Sequence, residues 1–227
     1  MLKVFLGIGH GGADPGAVAN GFKEEDLNLS IGKACRDELE RNGVTVLMSR
    51  TVDENDPMSD VIKECNAFDP DLAADIHNNA GKGDGYEAYC HHLDYDNDGP
   101  SKILAKNIEA EVVALGQNSR GVKKKLGSTG KDYYAFIRST KCPAVVLEGA
   151  FLDNPKDVQF IDTAAEQVAL GKAYARGILK TLGVDAAAPW YQEAKTWCVN
   201  RQITDGTRPN DPATRAEVWA MLYRLNK

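Results

Sequence analysis

Short apolar runs alternate with stretches of helical spacing along the first third of the chain, and this alternation limits the fold more than any other feature. Val4-Phe5-Leu6-Gly7-Ile8, Val44-Thr45-Val46-Leu47-Met48 and Leu72-Ala73-Ala74-Asp75-Ile76 each have the length of one buried strand. Between the first two, Leu27, Ile31, Ala34, Cys35 and Leu39 share one face of a helix over residues 25–42, and Gly43 ends it. Between the second and third, Val61, Ile62, Cys65 and Phe68 do the same within 57–68. The order strand, helix, strand, helix, strand predicts an α/β fold: an open, mostly parallel twisted sheet with helices on both faces.

The pattern continues with a strand over 85–92, a helix over 101–115, strands over 133–137 and 144–147, and a long helix over 163–182. The polar segment Asp94-Tyr95-Asp96-Asn97-Asp98-Gly99 resembles the opening of a calcium loop, but no glutamate closes it, and a plain turn is expected. Lys123-Lys124-Lys125 reads as a solvated loop. Residues 183–189 have the composition of a linker. Beyond them Trp190, Ala194 and Trp197 suggest a helix, and the capping box Thr214-Arg215-Ala216-Glu217 opens another. The expected organisation is a main domain over 1–182, the linker, and a small helical hairpin over 190–227. Two such helices bury too little to be secure alone, so the hairpin is expected to lean on the main domain, on a ligand or on copies of itself.

A composition of 43% hydrophobic and 26% charged residues is that of an ordinary globular protein. No apolar run approaches the ~20 residues of a membrane helix. The sequence enters a strand at once, without the features of a secretory signal, so synthesis in the cytoplasm without export by that route is expected. A formal net charge of −6 argues against a nucleic-acid partner. The five cysteines are scattered, with no CxxC pair, which favours reduced, mostly buried thiols over a disulfide framework.

Three polar residues follow three expected strands. His10 stands in the turn Gly9-His10-Gly11-Gly12, His77 follows Ile76, and Glu148 follows Leu147. Such strand ends share one edge of an open α/β sheet, where ligands bind. Two histidines and a carboxylate form a common catalytic zinc set with a fourth position for water. Glu24 and Glu25, at the start of the first helix, compete for a place over the glycine turn. Each residue alone has a plainer explanation: a histidine satisfied in the core, a glutamate paired with Arg50 or Arg138, or a solvated helix start favoured by the dipole. Their convergence supplies one carboxylate to bind metal and another to move protons.

The segments GHGGADPGA, KEEDLNLSI, DIHNNA, RGVK, IRST and PAVVLEGAFLDNPKD, in this order over residues 2–181, resemble the zinc-dependent N-acetylmuramoyl-L-alanine amidases of bacterial autolysins and phage endolysins. The resemblance implies zinc bound by His10, Glu24 and His77, with Glu148 as the catalytic carboxylate. Where the family usually has Glu-Lys, this chain has Glu24-Glu25, and alignment on Asp26-Leu27 favours Glu24. Where the family tends to have serine, this chain has Asp75, which is expected to point away from the metal. Asn79 and Arg138 are candidate substrate contacts. The implied substrate is peptidoglycan, at the amide between the lactyl group of N-acetylmuramic acid and L-alanine.

The tail TDGTRPNDPATRAEVWAMLYR, preceded by WYQEAKTWCVNRQI, resembles a single S-layer homology motif. That implies either contact with a secondary cell-wall polymer, with Arg215 the residue to test, or self-association into a homo-oligomer. With no export signal, the resemblance implies a phage or prophage endolysin, or a spore-stage lysin, that acts on the wall after release. Two alternatives carry different chemistry: a wall-binding protein with an inactive amidase domain, and another zinc hydrolase of the wall, a peptidase or a deacetylase.

Overall fold

A strand that is apolar on every residue needs cover on both faces, and the first strand sets this requirement. In the computed structural model, which describes residues 1–184 together with Cys198 and Arg201, that strand is β1 (Lys3–Ile8). A two-stranded ribbon follows, β2 (Val18–Ala19) with β3 (Phe22–Lys23), leading into α1 (Glu24–Arg41). Then come β4 (Thr45–Met48), α2 (Met58–Phe68), β5 (Leu72–Asn79), β6 (Tyr86–Cys90), α3 (His92–Asn97) and α4 (Pro100–Ala114). The described part closes with β7 (Ser119–Lys123), α5 (Ala135–Ser139), β8 (Ala144–Phe151), α6 (Pro155–Val158) and α7 (Ala164–Thr181).

The main sheet runs β4-β1-β5-β8-β6-β7. β4, β1, β5 and β8 are mutually parallel, β6 is antiparallel to β8, and β7 is parallel to β6. Val4, Leu6 and Ile8 face the larger core, built with Leu27 and Ile31 of α1, Leu104 and Ile108 of α4, and Leu170 and Ile178 of α7. Phe5, Ala73 and Ala144 face a much smaller one, with Val61 and Cys65 of α2 and Phe136 of α5. The expected fold class is the observed one. The second face, though, is covered only by these two short helices.

Three local expectations are corrected. Residues 133–137 do not form a strand: β8 already has β5 and β6 on its two edges, and Phe136 and Ile137 turn inward from α5 instead. The sixth strand is β7, which takes Lys123 out of the expected solvated loop, while Lys124 and Lys125 follow it as exposed loop residues. Lys123 Nζ donates to Glu87 at 2.7 Å, Lys124 Nζ to Asp96 at 2.6 Å, and Lys125 Nζ lies 4.0 Å from the centre of the Tyr133 ring. The segment after His91 is the short helix α3, not a plain turn. Its Asp94 carboxylate accepts from Ser101 N at 2.9 Å and Ser101 Oγ at 2.6 Å, holding the first turn of α4.

The chain parts into two compact units, Met1–Ala186 and Ala187–Lys227. Most of the linker 183–189 and of the hairpin 190–227, including Arg215, lies outside the described residues. Cys35, Cys65 and Cys90 are buried free thiols, and Cys142 and Cys198 are half-buried ones. Among the described residues no helix is long and apolar enough to cross a membrane.

Gly171 brings α7 against α1. A Cβ there would meet the Ile31 carbonyl oxygen at 2.4 Å and Ala34 Cβ at 2.8 Å. Gly171→Val is expected to destabilise the domain by about 1–3 kcal/mol through overpacking. Urea denaturation should show a lower midpoint, and a wild-type midpoint would mean that the two helices part without cost.

Candidate active site

Side chains two residues apart on a strand share a face, so the series that builds the smaller core also builds the site. Phe5, Ala73 and Ala144 lie beneath α2 and α5. Two and four residues further on, beyond those helices, the same positions are Gly7 on β1, Asp75 and His77 on β5, and Val146 and Glu148 on β8. Glycine is required on β1: a Cβ on Gly7 would meet Asp75 Oδ1 at 2.4 Å, and one on Gly9 would meet His77 Cε1 at 2.2 Å. His10 follows in the left-handed conformation, with φ of 65°. Its strain is offset by a tight turn in which Gly11 N donates to the Asp14 carbonyl at 2.8 Å, and Asp14 Oδ2 lies 2.9 Å from His10 Nδ1.

His77 and Glu148 therefore sit within strands rather than past them. The β5–β8 ladder continues through them, with His77 paired to Glu148, and β6 continues the row, with Glu87 paired to Glu148. Asp75 does not point away from the site. It is one strand period from His77, and its Oδ2 lies 3.4 Å from His77 Nε2.

Glu24, in the first turn of α1, closes the constellation. Its Oε2 is 3.2 Å from His10 Nε2 and its Oε1 is 3.0 Å from His77 Nδ1. The two imidazole rings stand edge to face with centroids 5.0 Å apart. One ligand atom from each of His10, Glu24 and His77 lies within 4.8 Å of the others, the spacing of a shared metal ion. The outer nitrogen of each imidazole meets a carboxylate, Asp14 for His10 and Asp75 for His77. That arrangement fixes tautomer and ring orientation in histidine–metal sites.

Burial alone would push the Glu24 carboxyl up. Hydrogen bonds from His10 and His77, and from Ala17 N at 3.0 Å, hold it instead far below the usual carboxylate range. The hydrogen bond to Glu24 raises the pKa of His10. For His77 burial acts downward, but the charge and hydrogen bond of Asp75, with Glu24, leave it well above the usual imidazole value.

Glu25 is equally buried but faces Lys23, with Oε1 3.1 Å from Lys23 Nζ. Arg50 pairs with neither Glu25 nor Glu148 through its side chain. Its guanidinium donates to the carbonyls of Ile8, Gly9 and Glu25 at 3.1, 3.2 and 2.7 Å and so fastens the turn to α1. Asn79 Oδ1 accepts from Ala80 N at 2.9 Å at the end of β5. Arg138 is taken up by the carbonyls of Asp132 and Tyr133 at 2.6 and 3.0 Å, ahead of α5. A cleft of about 530 Å³ opens beside the histidines on the β1 side, lined by Asp14, Asp56, Met58 and Asp75.

A second convergence involves His91, His92 and Asp132. There His91 Nδ1 accepts the Leu93 N–H at 3.3 Å, so its Nε2 carries the proton that meets Asp132 at 3.2 Å. With His92 N also donating to Asp132 at 3.0 Å, the cluster is a hydrogen-bonded knot that secures a loop.

Around Glu148 stand groups that the sequence analysis did not single out, Glu87, Tyr89 and Tyr134, and Arg120 and Lys123 of the RGVK segment bond Glu87. Glu87 accepts from Tyr89 Oη at 2.9 Å, and Tyr89 packs on Tyr134 with ring centroids 4.9 Å apart. Alternation in Tyr86–Cys90 places Glu87 and Tyr89 on one face, but only the register with β8 reveals which face it is. Burial, with Glu24, Asp75 and Glu87 nearby, pushes the Glu148 carboxyl up to about 7, although His77 pulls it down.

The family model for N-acetylmuramoyl-L-alanine amidases matches residues 4–180. The chain belongs to this amidase family. It is 33% identical over 181 residues to the sporulation-specific N-acetylmuramoyl-L-alanine amidase of Bacillus subtilis, covering 78% of this chain and 67% of that one. It is 32% identical over 188 residues to the endolysin of Bacillus phage SPP1, covering 80% of this chain and 66% of the endolysin. Among solved structures, the catalytic domain of the amidase CwlV from Bacillus (Paenibacillus) polymyxa superposes with a TM-score of 0.72 at 25% identity, over 82% of this chain and all of that domain.

If the cluster of His10, Glu24 and His77 holds a metal ion and the outer carboxylates orient its ligands, Asp14→Ala and Asp75→Ala should each weaken zinc binding about 10–100-fold in competition titrations, and unchanged affinity would deny them that role. Zinc affinity should also fall between pH 8 and pH 6, because His10 and His77 hold protons above the usual imidazole range and protons compete with metal.

Proposed function

We propose that this chain is a zinc-dependent peptidoglycan amidase that cleaves the bond between the lactyl group of N-acetylmuramic acid and L-alanine. The observation that carries the reading is the position of Glu148. It stands opposite His77 in the ladder, and among the described residues no cation or hydrogen-bond donor ties its carboxylate down. A part-buried carboxyl poised near neutrality beside a histidine–carboxylate cluster is suited to moving protons.

His10, Glu24 and His77 would hold the zinc. Two imidazole nitrogens and one carboxylate oxygen are the donor types it prefers, and three protein ligands leave a position open. Zinc in such a set supplies Lewis acidity and a water of lowered pKa. Asp14 and Asp75 keep the His10 Nδ1–H and the His77 Nε2–H occupied, so that His10 Nε2 and His77 Nδ1 remain free to ligate. The Glu148 carboxylate takes the proton from the attacking water and returns it to the departing nitrogen of L-alanine. The chemistry needs no serine or cysteine nucleophile.

The protein would act on the wall after release from the cytoplasm. Residues 190–227 would bind a secondary wall polymer. Arg215→Ala is expected to reduce sedimentation with purified walls while cleavage of soluble muramoyl peptides is unchanged. A changed oligomeric state instead would assign the segment to self-association.

Digestion of purified walls by the zinc-loaded protein should release L-alanine amino termini. Acetate or reducing sugar ends would mark a deacetylase or glycosidase instead. Glu148→Gln should lower kcat about 10²–10⁴-fold at unchanged zinc content, and retained activity would remove Glu148 from the mechanism. Because Glu148 must be ionised to accept a proton, kcat/KM should rise with pH and level off above its pKa. A bound cation lowers that pKa, so the acid limb should lie at or below about pH 7. Glu87→Gln removes a negative neighbour and should move the limb to lower pH.

A further inference from the structure

Two cations stand beyond Glu148 on β7, bonded to Glu87, and proton transfer makes no use of them. Ladder pairing sets His77, Glu148 and Glu87 in one row across the open sheet face, and Arg120 of β7 extends the row by bonding Glu87. Adjacent strands are about 4.8 Å apart, so β7 lies roughly 10 Å from β8. Glu87, with its side chain 4% exposed, is the common acceptor. Its Oε1 receives Arg120 Nε and Lys123 Nζ, and its Oε2 receives the Tyr89 hydroxyl. One carboxylate is thus shared by two cations, and neither is fully engaged.

Both cations also have donors to spare. Arg120 spends only Nε among the described residues, and Lys123 spends one of its N–H bonds. Their side chains are 41% and 32% exposed. The Arg120 guanidinium lies 5.3 Å from the centre of the Phe151 ring. A guanidinium fixed by a buried carboxylate and an aromatic face, with its outer nitrogens free, is prepared for a planar anion.

We propose that Arg120 and Lys123 bind the α-carboxylate of the second residue of the peptidoglycan stem peptide. This rests on the amidase reading and adds the direction in which substrate lies. In the stem, L-alanine is followed by D-glutamate linked through its side chain, which leaves the α-carboxylate free unless the wall amidates it. That carboxylate lies within two residues of the scissile nitrogen, roughly 6–7 Å in extended chain. With the scissile amide over His77 and Glu148, the Arg120 side chain spans the remaining distance. The peptide then runs towards β6 and β7, and the sugar falls on the β1 side, by the cleft lined by Asp14, Asp56 and Asp75.

Two soluble substrates test this with the zinc-loaded full chain: N-acetylmuramoyl-L-alanyl-D-isoglutamate and its isoglutamine counterpart, identical but for one carboxylate made amide. The isoglutamate form should show a KM lower by about tenfold or more, the effect of a charged hydrogen-bonded pair. Arg120→Ala should abolish that preference, raising KM for the isoglutamate form far more than for the isoglutamine form. Arg120→Lys should restore part of it, and Lys123→Ala should weaken it. No preference in the wild type, or an equal loss on both substrates from Arg120→Ala, overturns the proposal. Calorimetric binding of both dipeptides to Glu148→Gln separates the two readings. Arg120-dependent preference in binding, with no wild-type cleavage, would sink the amidase reading and keep the carboxylate site, whereas cleavage without preference does the reverse.

Discussion

One buried carboxylate holds the site together. Glu24 is 4% exposed, and an ionised group so placed costs several kcal/mol unless donors converge on it. The donors come from three distant segments: His10 after β1, Ala17 before the ribbon, and His77 with Asn78 on β5. Asn28, one turn along α1, ties Glu24 Oε1 at 3.3 Å to the Gly9 carbonyl at 3.0 Å. The start of α1 is thereby pinned over the sheet, where its dipole also favours the negative charge. Much of the local sequence serves this one contact, including Gly9, which gives the His77 ring its space.

The two-residue period of the strands explains why a site exists on this face. On the other face α1, α4 and α7 cover the sheet, and the inward series on β5 stays apolar through Leu72, Ala74 and Ile76 before ending on the buried Asn78. Here α2 and α5 stop short, so the positions that continue Ala73 and Ala144 emerge as Asp75, His77 and Glu148. The reacting groups thus stand on rigid, ladder-bonded backbone rather than on loops, and their separations follow from strand spacing.

How much of this was legible in the sequence follows the range of the interactions. The parallel half of the sheet was legible because each strand and helix carries its own period. His10, His77 and Glu148 were legible because each follows an apolar run in the sequence, although β5 and β8 continue through the last two. Glu24 and Glu25 were equal by spacing, and only the family resemblance separated them; the physical difference is that Glu25 turns to Lys23. β7 carries almost no apolar pattern, since it pairs only with β6 at the sheet edge. Residues 133–137 have strand-like composition, but both edges of β8 are taken. Glu87 gains its meaning only from the antiparallel register of β6 against β8, and Lys123 from the pairing of β7 with β6, neither of which a local pattern encodes.

That register couples two roles in one side chain. The charge of Glu87 raises the pKa of Glu148 from the neighbouring strand, and the same charge fixes Arg120 and Lys123. Without Glu87 the Glu148 carboxyl would lose one of the three negative neighbours that hold it up, Glu24, Asp75 and Glu87, and would be a weaker base. One carboxylate thus serves both ends of the row: it keeps Glu148 basic, and it holds two cations that have donors to spare.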